Sequence, residues 1–153
     1  MYLIQYSEVK GDQNIGKFRD CFKVLLIDYS AGRSTIQAPI GSNQRHFGSI
    51  QCSPIQVAKY VCKASRALHE ACHFGKASEC KLLFLDSSNT EYLEITLTDA
   101  LFSNYHFKAH GDIPRETFDI TYTAISLRHV LKDSKGSIAS SSTTSFNLTK
   151  NTK

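Results

Sequence analysis

The 153-residue sequence contains no tryptophan, three prolines and no apolar run approaching the roughly 18 residues that a membrane-spanning helix needs. Its longest apolar stretches, Val24–Ile27 and Leu82–Leu85, have the length of β-strands. Hydrophobic residues make up 41% and charged residues 21%, which excludes collagen, wholesale disorder and a coiled coil. The N-terminus lacks a basic segment, a long apolar segment and a small-residue cleavage site, so we expect no secretory signal peptide and no membrane insertion.

The body of the chain also lacks an excess of one charge sign. The formal charge of +4 is concentrated after residue 131, where four lysines accompany one aspartate. Residues 1–131 hold 14 basic and 13 acidic residues. Because binding to phosphate backbones requires clustered cations, we expect no nucleic-acid partner.

Five cysteines occur without any CxxC spacing, at positions 21, 52, 62, 72 and 80. An odd number of cysteines without a signal peptide is typical of reduced thiols in a cytosolic protein. We expect them to fill space as small apolar residues.

Short runs rich in branched and aromatic residues, separated by turn signals about every ten residues, predict a mainly β protein. One helix is predicted over Arg66–Phe74, with Ser65 as its N-cap, Gly75 at its end, and Leu68, Ala71 and Cys72 as its packing stripe. We therefore predict a small β-barrel of two packed antiparallel sheets with one short α-helix on its side. Predicted strands cover Tyr2–Tyr6, Phe22–Ile27, Ile50–Tyr60, Cys80–Leu85, Glu91–Leu97, Leu101–Phe107 after a kink near Asp99, and the alternating run Thr117–Ala124.

Two segments show no regular pattern. The polar stretch Arg33–Gly48 predicts a long loop. Residues 132–153 contain ten Ser or Thr residues and few large apolar ones, so we predict a flexible tail after a single domain of residues 1–131.

Motifs that carry chemistry are nearly absent. There is no GxSxG elbow, GxGxxG loop or Walker loop. The segment His69-Glu70-Ala71-Cys72-His73 fits the letters HExxH, and two histidines four apart on a helix can face one ion. The sequence places no third ligand, so we predict no metal site, no cofactor and no catalytic residue. Glu91 and Glu94, three apart on a strand, are expected on opposite faces.

The segment Tyr92-Leu-Glu-Ile-Thr-Leu-Thr-Asp-Ala-Leu-Phe-Ser-Asn-Tyr105 resembles the "YL-x-x-T-L-x-x-A-L-I-S-x-Y" segment of the haemolysin-coregulated protein (Hcp) family, the tube subunits of type VI secretion systems. Gly111-Asp-Ile-Pro-Arg-Glu-Thr-Phe118 resembles the family's "G-D-x-P-x-E-x-L/F" turn. Two looser similarities lie upstream, Val9-Lys-Gly-Asp12 with "I-x-G-E/D" and Lys63-Ala-Ser-Arg-Ala-Leu68 with "K-x-S-P-x-L". The similarity covers about residues 2–128.

The resemblance implies a structural, non-enzymatic protein that forms hexameric rings stacking into a tube. Its implied partners are copies of itself, the sheath and spike of the secretion system, and effector cargo. It implies a bacterial cytoplasmic protein that is secreted by the type VI machine without a signal peptide. Two alternatives remain open: an Hcp-like secreted effector or adaptor, and a metalloprotein that uses His69, Glu70 and His73.

Overall fold

The structure is a computed structural model that describes residues 1–36, 46–133 and 137–150. Those residues form twelve β-strands and one helix. The strands are β1 Tyr2–Tyr6, β2 Gln13–Ile15, β3 Phe18–Val24, β4 Leu26–Asp28, β5 Ala31–Ile36, β6 His46–Cys52, β7 Ile55–Tyr60, β8 Ser78–Leu85, β9 Glu91–Lys108, β10 Arg115–Thr121, β11 Ala124–Lys132 and β12 Ile138–Asn147, and the helix is α1 Ser65–Phe74. Within the described ranges, no helix combines the length and apolarity that crossing a membrane would require.

Ten strands form one antiparallel sheet that bends back on itself. Eight of them follow the order β2-β3-β1-β8-β9-β10-β7-β4, and the other two branch from β9, which pairs with β11, which in turn pairs with β12. The 18-residue strand β9 forms one corner, because its first half pairs with β8 and β11 and its second half pairs with β10. At the other corner a single residue, Leu25, joins β3 to β4, and its N–H donates to the Ala58 carbonyl at 2.8 Å. The prediction of a small β-barrel of two packed sheets with one short helix is confirmed.

The interior is filled by the apolar faces of these strands and of α1. Phe22, Phe102 and Phe118 contribute aromatic rings in edge-to-face contact. From the helix, Leu68 is fully buried and Ala71 nearly so. Full burial of a leucine side chain contributes roughly 1.5–3 kcal/mol, so this contact holds a helix of ten residues that could not be stable alone.

The start of the helix differs from the prediction. Ala64 occupies the N-cap position without a side-chain hydrogen bond, and Ser65 is already helical. The Ser65 hydroxyl accepts instead from the backbone N–H of Cys62 at 2.9 Å and donates to Glu116 at 2.8 Å. A buried carboxylate competes successfully for this hydroxyl because hydrogen bonds to ionised groups are stronger than neutral ones. The predicted end is correct, since Gly75 is the C-cap.

The predicted loop Arg33–Gly48 is partly strand. Residues 31–36 and 46–52 form an antiparallel two-stranded ribbon, β5–β6, that pairs with no other described strand. Residues 37–45, the centre of the predicted loop, lie outside the described residues.

The C-terminal segment is ordered along much of its length, contrary to the flexible tail predicted for 132–153. Strand β12 pairs with β11 from Ile138 to Asn147, and Phe146 packs against the core. Pairing uses backbone hydrogen bonds and requires no apolar side chain, so a Ser/Thr-rich segment can be a strand when an open edge is available. The prediction of a flexible tail considered only how much apolar surface the segment could bury, and it did not consider strand pairing at an open edge. The end of the domain at residue 131 stays a prediction.

Candidate functional site

A buried polar cluster lies where α1 meets the sheet. The side chains of Lys59 on β7 and Glu116 on β10 are fully buried and form an ion pair. Ser65 at the start of α1 and Tyr105 on β9 complete the cluster. It therefore connects three strands and the helix through four side chains.

Every strong hydrogen-bonding group of this cluster has a partner. The Lys59 ammonium donates to Glu116, to the Tyr60 carbonyl at 2.8 Å and to the Ser65 hydroxyl at 3.2 Å. Glu116 accepts from Ser65 through Oε1 and from the Tyr105 hydroxyl through Oε2 at 2.7 Å. An ammonium has three protons, and all three are used. A buried charge pair is tolerated only with such complete satisfaction.

The environment of the cluster removes reactivity rather than creating it. Burial, followed by the hydrogen bond to Glu116, raises the pKa of Tyr105 far above its usual range. Burial and then the charge of Glu116 raise the pKa of the nearby Cys72 thiol to about 11. A thiol with such a pKa is protonated at neutral pH and is a poor nucleophile. The cluster thus fixes the start of the helix against the sheet through Ser65.

Tyr105 reaches the cluster because of a bulge in β9. Thr117 pairs with His106, but Asp119 pairs with Ser103, so β9 has one extra residue at this point. Asn104 takes up the extra length with a φ of +52°, a conformation that asparagine tolerates better than most residues. Its side chain donates to Asp119 at 2.8 Å, which fixes the bulge. The bulge turns Tyr105 toward Glu116 instead of toward solvent.

The predicted HExxH candidate does not converge on an ion. His69 and His73 lie side by side on the exposed face of α1, with ring centroids 4.5 Å apart. His73 donates its Nδ1 proton to the His69 carbonyl at 2.8 Å, and Glu70 pairs with Arg66 at 3.2 Å. Among the residues that the structure describes, no group of three His, Cys, Asp or Glu side chains could hold a metal.

Glu91 and Glu94 share one partner, although the alternation predicted opposite faces. Arg128 donates to both carboxylates, at 2.9 Å to Glu94, and Lys17 lies 3.2 Å from Glu91. The reason is a second irregularity in β9: Phe84 pairs with Leu93 but Leu85 pairs with Glu91, which skips Tyr92. Skipping one residue reverses the alternation, so both carboxylates lie on the same face. With Arg128 and Lys17 they form an ion network.

The outer surface presents strand edges and apolar side chains that nothing in the described chain covers. Strand β12 pairs with β11 alone, and its first eight side chains are all exposed. Phe74, the last residue of α1, has 88% of its surface exposed, and Leu26, the first residue of β4, is 53% exposed. Further exposed apolar side chains are those of Phe107, Ile113, Leu131 and Ile138. Open edges and exposed apolar residues are typical of association surfaces.

Comparison with known families decides the class of protein. Residues 3–129 match the family described as "Type VI secretion system effector, Hcp". The chain belongs to the Hcp family. Among curated proteins, none has a significantly similar sequence.

Solved structures show the same fold. A type six secretion system protein superposes with a TM-score of 0.87 at 21% identity, over 98% of this chain and 96% of that chain. Hcp1 from Salmonella typhimurium has a TM-score of 0.77 at 18% identity, with 99% and 96% coverage. A chain of the six-fold symmetrised baseplate of the anti-feeding prophage has a TM-score of 0.54 at 9% identity, with 82% and 91% coverage.

Membership in the Hcp family makes this a protein of type VI secretion systems with a structural role, not an enzyme.

The residues that hold the fold together were only partly predictable from the sequence. Glu116 lies in the "G-D-x-P-x-E-x-L/F" turn, but its burial and its partner Lys59 were missed. Extending the inward alternation of Phe118 and Ile120 back by one step would have placed Glu116 in the interior.

Proposed function

We propose that this chain is a structural tube component of a type VI secretion system, assembling as hexameric rings that stack into a tube and carry effectors during secretion. Its partners would be identical copies, the sheath and spike proteins, and effector cargo. It would reside in the bacterial cytoplasm before firing and leave through the machine without a signal peptide. The observation that carries the proposal is the Hcp family match over residues 3–129, on a chain whose fold is that of solved Hcp proteins.

Three features of the chain support assembly with copies of itself. The described strands leave open edges at β2, β4 and β12. The ribbon β5–β6 pairs with no other described strand and carries exposed side chains where they are described. The structural similarity extends to a chain of a baseplate with six-fold symmetry. A cyclic ring needs two different surfaces on each copy, and these edges and side chains offer several.

Native mass spectrometry and negative-stain microscopy of the purified full-length chain test the proposal. We expect a species of six times the 17.1 kDa chain mass, and ring-shaped particles with an open centre. A monomer that persists at high protein concentration, with no rings in the images, would refute the proposal.

A secreted effector or adaptor with the same fold is the second candidate, since the matching family is itself described as an effector. Truncation after Leu131 separates the two roles. If rings and secretion persist without residues 132–153, the C-terminal segment is dispensable for the tube. If rings persist while secretion or partner binding is lost, the segment docks a partner and the adaptor role is supported.

A further inference from the structure

The outer face of strands β9, β10, β7 and β4 carries two rows of charge, where a row means residues paired directly across neighbouring strands. The basic row consists of Lys108, Arg115 and Tyr60. The acidic row consists of Asp119, Gln56 and Asp28. Arg115 and Asp119 lie four residues apart on β10, about 13 Å along the strand. The two rows thus occupy opposite ends of one face.

The basic row places two like charges side by side. Lys108 and Arg115 are directly opposite each other and both are exposed. Like charges in this position destabilise a strand pair unless an anion compensates them. Arg115 stacks on the Tyr60 ring at 5.4 Å, and its guanidinium lies 3.5 Å from the Tyr60 hydroxyl. Neither cation forms an ion pair with any residue in the described ranges.

A groove of about 390 Å³ surrounds the basic row. His110, Asp112 and Ile113 also line it. Asp112 lowers the local positive charge without cancelling that of the two cations. Ile113 is 55% exposed and offers an apolar contact beside the charges. The groove can therefore accept carboxylates together with a small apolar area.

The acidic row has the complementary arrangement. Asp119 and Asp28 flank Gln56 on neighbouring strands, which separates the carboxylates by two strand spacings, about 10 Å. Asp119 accepts only a neutral hydrogen bond, from Asn104 at 2.8 Å. No described residue forms an ion pair with either carboxylate. A second groove, of about 260 Å³, contains both carboxylates, with Ser30, Ser53 and Pro54 on its rim.

We propose that the basic row of one copy docks against the acidic row of a second copy. The occupant is a second copy because the same face supplies both complementary halves, and neither half forms an ion pair with a residue that the structure describes. A contact that joins the basic row of one copy to the acidic row of the next, and leaves each copy's other row for a further neighbour, is heterologous, as the tube assembly proposed above, on which this inference rests, requires. The contact is electrostatic, so it weakens as salt shortens the screening length from about 10 Å at 0.1 M.

Charge reversal with mixing tests this contact. One variant, K108E/R115E, makes both rows acidic, and the other, D28K/D119K, makes both rows basic. Each alone should assemble at least about tenfold more weakly than the wild type, because like charges then meet at every contact. An equimolar mixture should regain assembly, since each acidic copy meets basic neighbours on both sides. K63E/K76E, which reverses two exposed lysines elsewhere, controls for the change in net charge.

Sedimentation velocity at fixed protein concentration, in low and high salt, is the measurement. Circular dichroism checks that each variant is folded. If a double variant does not fold, the milder single variants K108E and D28K give the same comparison. The docking of the two rows is supported if assembly is weak for each variant by itself and recovers when the two variants are mixed. The docking proposal is overturned if the wild type assembles and the charge-reversed variants assemble equally well. It is also overturned if the wild type assembles and the two variants do not recover assembly on mixing. A wild type that never assembles refutes the proposed function instead.

Discussion

Replacing Lys59 by methionine should destabilise the protein strongly. Lys59 contributes the positive charge of a fully buried ion pair and three hydrogen bonds. Methionine retains most of the side-chain volume but leaves the Glu116 carboxylate without a cation, with only Ser65 and Tyr105 as donors. Removing one partner of a buried ion pair costs about 3–5 kcal/mol. For a chain of this size, the melting temperature should fall by roughly 6–20 °C.

A double-mutant cycle isolates the interaction between the two residues. Glu116→Gln preserves shape and removes the charge, so the double variant K59M/E116Q has no unpaired ion. Its loss of stability should be smaller than the sum of the two single losses by about 2 kcal/mol, within the range measured for contacting residues. Urea unfolding followed by far-UV circular dichroism gives these energies at one fixed protein concentration, because assembly itself stabilises the folded chain.

The control for this cycle is Lys63→Met, which removes an exposed lysine that precedes the same helix. Surface changes of this kind usually stay within about 0.5 kcal/mol. A Lys59→Met variant within about 1 kcal/mol of the wild type, or a cycle with no coupling, would show that the buried pair does not anchor the helix.

Three further perturbations follow from other contacts. Gly11→Ala should lower the free energy of unfolding by about 1–3 kcal/mol in a thermal unfolding experiment, because a Cβ there would lie 1.9 Å from the Cys21 carbonyl oxygen. The control is Gly32→Ala, which should change stability little because a Cβ at Gly32 would have open space around it. Phe146→Ala should cost about 1–2 kcal/mol, since this half-buried ring packs on the core, while Ser142→Ala on the same strand should stay within about 0.5 kcal/mol. Burial raises the pKa of Glu94, but hydrogen bonds with Arg128 and Glu91, together with the charges of Arg128 and Lys81, outweigh burial and hold that pKa below its usual range. The stabilisation from this ionised carboxylate is therefore present above the unfolded pKa of about 4.3 and is lost as pH falls through the lower folded pKa. Arg128→Met should lower the free energy of unfolding by about 1–2 kcal/mol at pH 7, and by progressively less below about pH 4. Urea unfolding at a series of pH values measures this difference.

Local patterns were sufficient for the fold class. Alternation over Thr117–Ala124 and the helical stripe of Leu68 and Ala71 depend on burial against one face, which a single segment reveals. The strand β12 was missed for the opposite reason. Its side chains are exposed, so its position depends on the open edge of β11 and on the packing of Phe146, neither of which its own composition can show.

The buried ion pair depends on a contact between residues 57 positions apart, and no local pattern pairs Lys59 with Glu116. Each one nevertheless lies on the inward face of an alternating strand, after Val57 on β7 and before Phe118 on β10. A charged residue on an inward face requires a partner of opposite charge, because an isolated buried charge is too costly. Two such residues on neighbouring strands would have predicted the pair.

The irregularities of β9 account for the remaining differences, and they also explain how one strand can take part in both halves of the bent sheet. A regular strand of 18 residues would keep one face inward along its whole length, and its side chains would follow a single alternation. Positive φ angles at Asp99 and Asn104, two residue types that tolerate this conformation, break the strand into segments with different inward faces. The break at Asp99 lies between the segments that pair with β11 and with β10, and the one at Asn104 directs Tyr105 to Glu116. Aspartate or asparagine inside an otherwise apolar strand therefore indicates where alternation ceases to predict which side chains face the core.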